Sequence, residues 1–142
     1  MSERSPEFQK RPTPKVVEVD LSGSWDRESQ RDLILDHLKR LGIYKPGLLF
    51  RGFDGKDLGV VKQFGTESTD MESVFCSTED QLADPEGAEE SALDYSFKHN
   101  ESCIAVYDPD ILTQGNKDLP YQYSVVKGES FRDALLAILV FK

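Results

Sequence analysis

Leu48-Leu49-Phe50-Arg51-Gly52-Phe53 is the stretch on which the reading of this 142-residue chain turns. Apolar residues run through it, Pro46-Gly47 turns the chain just before it, and Asp54-Gly55 ends it, so it predicts a central strand over 48–53. Arg51 is the anomaly. A guanidinium keeps its charge and is not buried without an acceptor, so Arg51 either lies on a solvated face or waits for an anion. Downstream, Val74-Phe75-Cys76-Ser77 predicts a second strand, and Thr78 with Gln81 has the spacing of a capping box, which gives both hydroxyls a plain structural use.

Working outward, Val16-Val17-Glu18-Val19 reads as a short edge strand. Ser24 is the expected N-cap of a helix carrying Leu33, Ile34, Leu38 and Leu41 at helical spacing, with Gly42 as its stop and Trp25 anchoring its start to the core. A short helix over 56–64 places Leu58, Val61 and Phe64 on one face and closes at Gly65. A stronger helix is expected over 84–99, with Asp84 as cap, Pro85 at the first position, and Ala88, Ala92, Leu93, Ser96 and Phe97 as its packed stripe. Ser102 to Tyr107 is apolar enough for a strand buried on both faces, and Asp108-Pro109-Asp110 starts one helical turn through Leu112. A polar loop over 113–119 follows. Tyr121 to Val125 alternates like a strand with one wet face, and Ala134 to Phe141 suits the centre of a sheet.

Strands follow one another at the C-terminal end, which predicts antiparallel pairing and an α+β fold: mixed, largely antiparallel small sheets with two main helices. The length fits one domain over 15–142 behind a flexible, proline-punctuated tail over 1–14. No apolar run approaches the roughly 20 residues that span a bilayer, and the first residues lack the apolar segment of a secretory signal, so the expected compartment is the cytosol. Cys76 and Cys103 fall in predicted strands and read as small buried hydrophobes. With His37 and His99 as the two histidines and no clustered cysteines, no metal-ligand spacing can be assembled.

Acidic residues outnumber basic ones 26 to 17, a formal charge of -9 that repels phosphate backbones and argues against nucleic acid as a partner. The acid is uneven: the segment 67–94 carries Glu67, Asp70, Glu72, Glu79, Asp80, Asp84, Glu86, Glu89, Glu90 and Asp94 with no Lys or Arg. Such a run is a solvated face or a docking surface for a basic partner.

Leu49-Phe50-Arg51-Gly52 and Phe75-Cys76-Ser77-Thr78, followed by Ala92-Leu93-Asp94-Tyr95, resemble the Arg-Ser-Glu type of the ADP-ribosyltransferase superfamily, over about residues 48–141. The resemblance implies NAD as substrate and ADP-ribose transfer to a protein or small-molecule acceptor. Arg51, beside Gly52, would grip the pyrophosphate; Ser77 and Thr78 would support the ribose; Tyr95 or Tyr107 would stack on nicotinamide. The family's acid has no Glu-x-Glu or Gln-x-Glu counterpart here. Gln122 stands near its place, and Glu129 is the surviving candidate for the catalytic acid. The second reading is a non-catalytic interaction module that docks a partner on the acidic segment, with Arg51 paired internally to an aspartate.

Overall fold

Ser102–Tyr107 and Leu135–Phe141 form the centre of the sheet that organises the chain. The computed structural model describes residues 14–68, 73–84, 90–114, 121–126 and 128–141, so the expected tail lies outside the described residues except for Pro14. In chain order these residues form β1 (Lys15–Val19), α1 (Arg27–Arg40), β2 (Leu49–Asp54), α2 (Leu58–Phe64), β3 (Val74–Phe75), α3 (Glu79–Ala83), α4 (Ala92–Ser96), β4 (Ser102–Tyr107), β5 (Leu112–Gln114), β6 (Gln122–Val125), α5 (Phe131–Ala134) and β7 (Leu135–Phe141).

One sheet has the order β1-β7-β4-β2, with β1 parallel to β7 at one edge and the other pairs antiparallel. A second, antiparallel sheet has the order β3-β6-β5. The α+β expectation holds, as do the edge position of β1 and the central position of β7, whereas β2, expected as a central strand, is the other edge of this sheet, with only the Phe50–Ser77 bridge beyond it among the described residues. Alternation along the strands sorts side chains to two faces. Ile104 and Val106 of β4 join Phe50, Ala137, Leu139 and the α1 residues Ile34, Leu35 and Leu38 in one cluster. Cys103, Ala105 and Tyr107 join Leu49, Phe53, Ile138 and, from the second sheet's side, Val74, Cys76 and Leu112 in the other. Each large side chain fully buried this way contributes about 1.5–3 kcal/mol.

Several expected elements differ. Asp26, not Ser24, caps α1, accepting from the Ser29 N–H at 3.1 Å, while the Ser24 carbonyl accepts from the Gln30 amide at 3.0 Å. Trp25 does not anchor this entry. It is 89% exposed, because Leu21 and Val19 already fill the core there and the tight turn from Leu21 to Ser24 points the next residue outward. The single helix expected over 84–99 is two short ones: Asp84 is extended at φ -140 and ends α3, and Ser91 opens α4 through a reciprocal capping box with Asp94. Pro85 and Ala88, named for that helix, lie outside the described residues. Only α1 is a long helix among the described residues. After β4 the chain forms a turn on Asp108, whose carboxylate accepts from the Asp110 N–H at 2.9 Å, and then enters β5 rather than a helical turn. Phe64, expected on the packed face of α2, is 41% exposed, whereas Val61 is buried. Gly65 closes α2 at φ 89, as its position predicts.

Candidate functional site

β2 presents Leu49, Arg51 and Phe53 to one face of its sheet and Phe50 and Gly52 to the other. Arg51 stands opposite Ala105 of β4, whose small side chain leaves room for the guanidinium to cross toward the loop after α2. There Glu67 receives it on two prongs, Nε donating to Oε1 at 3.1 Å and Nη2 to Oε2 at 2.8 Å. The side chains are 13% and 21% exposed, so the pair is largely removed from water. Burial alone would push the Arg51 pKa down, but the Glu67 carboxylate more than offsets this and holds it above the ordinary value.

The loop that carries Glu67 is fixed at its root. Tyr107 is fully buried, and its hydroxyl donates to the Gly65 carbonyl at 2.5 Å. A Cβ on Gly65 would collide with the backbone of Phe131 and Arg132, so α2 and α5 approach more closely than any other residue allows. Thr66, also buried, donates to the Ser68 carbonyl at 2.6 Å, closing a turn with Glu67 at its apex.

Ser77 lies on the strand beside Arg51 without facing it. Phe50 and Ser77 exchange backbone hydrogen bonds at 2.9 and 2.8 Å, an antiparallel bridge that links β2 to the chain leaving β3. Directly opposed residues share a face, so Ser77 points with Phe50 toward α4, where its Oγ accepts from the Ala92 N–H at 2.9 Å. Cys76 points the other way, into the cluster beside Arg51. Gly52 faces α4 as well: a Cβ there would meet the Ala92 carbonyl oxygen and the Ser96 nitrogen, the latter at 2.9 Å. Thr78 is the N-cap of α3, with its capping box to Gln81 formed as expected.

The remaining expected site residues are dispersed. Tyr95, on α4, is partly exposed and meets His99 edge-on at 5.1 Å. Glu129 lies exposed in the turn before α5, its N–H donating to the Val126 carbonyl at 3.0 Å. Gln122 is paired with Phe75 on β6 and donates to Ser73 Oγ at 2.5 Å. The structure thus brings the two motif stretches together as neighbouring backbones and divides their side chains between two faces.

The acidic segment is also more self-contained than its composition suggests. Glu67 takes Arg51, Glu79 accepts from the Tyr44 hydroxyl at 2.8 Å, Glu90 takes Lys98 at 2.9 Å, and Asp94 takes Arg27 at 2.6 Å. Asp70, Glu72, Glu86 and Glu89 lie outside the described residues. Missed from sequence was Glu67 as the partner of Arg51; the notable signal is that a lone cation in a buried strand demands an acid, and Glu67 follows the predicted helix stop at Gly65 by two residues.

Among the described residues, no group of three or more His, Cys, Asp or Glu side chains gathers to hold a metal ion, and no helix is long and apolar enough to cross a membrane. No family model, no curated protein and no solved structure matches the chain.

Proposed function

We propose that this chain is a non-catalytic interaction module whose negative surface docks a basic partner. The observation that carries the reading is the internal use of Arg51: its fork is occupied by Glu67, as this reading requires, with a glutamate in place of the expected aspartate. Ser77, Gly52 and Thr78 each have a structural task that accounts for them, and the net charge of -9 favours a cationic partner.

One observation favours a second reading. The bridge between Phe50 and Ser77 sets the two motif stretches side by side, as an NAD-binding ADP-ribosyltransferase-like domain acting on a protein or small-molecule acceptor would need. An NMR titration with NAD separates the two. The interaction reading predicts no shifts at Arg51, Gly52, Ser77 and Thr78 at millimolar NAD; shifts clustered on those residues, with turnover lost in E129Q, would overturn it.

A further inference from the structure

Trp25 is the one tryptophan of the chain, and it is 89% exposed. An indole held in water forfeits the burial that makes tryptophan useful in a core, and tryptophan is the aromatic most enriched where proteins meet partners. Its position is not loose. The turn from Leu21 to Ser24 and the Gln30 amide on the Ser24 carbonyl fix the chain on one side, and the Asp26 cap fixes it on the other.

Two exposed acids, Asp26 and Glu28, follow it in the chain. Asp26 follows directly, its carboxylate accepting from the Ser29 hydroxyl and N–H, and these hydrogen bonds hold its pKa below the ordinary value. Glu28 is exposed two residues further on, and no cation among the described residues pairs with either acid. Arg27, the cation between them, is drawn inward: Nε donates to Asp94 at 2.6 Å, Nη1 to Gln30 at 2.9 Å, and the guanidinium lies 4.8 Å from the centre of the Phe97 ring. Among the described residues no ring or cation stacks on Trp25 itself. An exposed indole followed in sequence by two exposed acids that pair with no cation among the described residues matches the chemistry of a Lys or Arg side chain, which stacks on a ring while its charge meets a carboxylate.

We propose that Trp25, with Asp26 and Glu28, is the docking point for a basic peptide segment of the partner, which lays an arginine or lysine side chain on the indole. The assignment rests on the interaction reading above and locates its contact. Because Trp25 is the sole tryptophan, its emission reports on this site alone. The 142-residue chain is titrated with a dye-labelled arginine-rich peptide, with peptide anisotropy and Trp25 emission read in parallel, and an acidic peptide as control.

The expected result is saturable binding that changes Trp25 emission and weakens with salt, reduced at least tenfold in W25A and severalfold in E28K, which retains the reporter. Trp25 and Glu28 are both exposed, and matched melting of each variant with the wild type confirms the fold. Peptide binding with unchanged emission and full retention in W25A would overturn the assignment while leaving an interaction module with its contact elsewhere. Binding of neither peptide, or equal binding of both, would overturn the assignment and remove the support for a basic partner.

Discussion

Arg51 and Ser77 belong to adjacent backbones and face opposite sides of the sheet. The Phe50–Ser77 bridge sends Ser77 toward α4, and strand alternation sends Arg51 the other way, onto Glu67. A one-residue change of register would have put them on the same face, so the alternation of side chains, not the distance between strands, decides what this pair of motifs can do.

Gly52 follows from the same geometry. Replacing it with alanine drives a methyl group into the Ala92 carbonyl and the Ser96 nitrogen, backbone atoms of a helix held at its own start by Ser77 and Ser91. G52A is expected to lose about 2–3 kcal/mol of stability, the upper range for overpacking, because backbone yields less readily than side chains. Urea unfolding of the variant measures this.

Ser77→Ala removes the acceptor of a buried helix N–H while leaving the strand bridge intact. The expected loss is about 1–2 kcal/mol in urea unfolding. A variant as stable as the wild type would mean that the Ala92 N–H finds another acceptor.

The buried thiols set an alkaline limit. Burial pushes Cys76 up to about 12, against the opposing field of Arg51, and burial with the Glu101 and Asp54 charges pushes Cys103 up to about 11, from an ordinary 9.0. Both folded values lie above the unfolded one. Their stabilisation is therefore complete below pH 9 and is lost as pH rises toward 11 and 12. Melting temperature is expected to fall over that window, and a thiol reagent at pH 8 is expected to label neither cysteine until the chain unfolds.

Much of the frame was legible because it rests on local pattern. Ser102–Tyr107 has the bounds its apolar run predicts, and Ala134–Phe141 and Val16–Val19 take the expected central and edge places with small shifts at their starts. The Thr78–Gln81 capping box forms because both of its hydrogen bonds lie within four residues. The split between α3 and α4 falls where Ser91 and Asp94 form a second capping box, inside the apolar stripe from Ala88 to Phe97 that predicted one continuous helix. Trp25 misled because hydrophobicity predicts burial only where the chain points inward, and a turn set that direction. The partner of Arg51 was hidden for a different reason: Glu67 reaches it across 16 residues through a loop whose path depends on Tyr107 and on the contact of Gly65 with α5.

The central claim is that Arg51 serves the fold through Glu67, and a double-mutant cycle tests it most directly. R51A and E67A are each expected to lose about 3 kcal/mol or more in urea unfolding, because each strands a largely buried charge, and the double variant is expected to lose no more than either alone. Near-neutral stability of R51A together with loss of NAD binding would contradict the account and make Arg51 a ligand-binding residue.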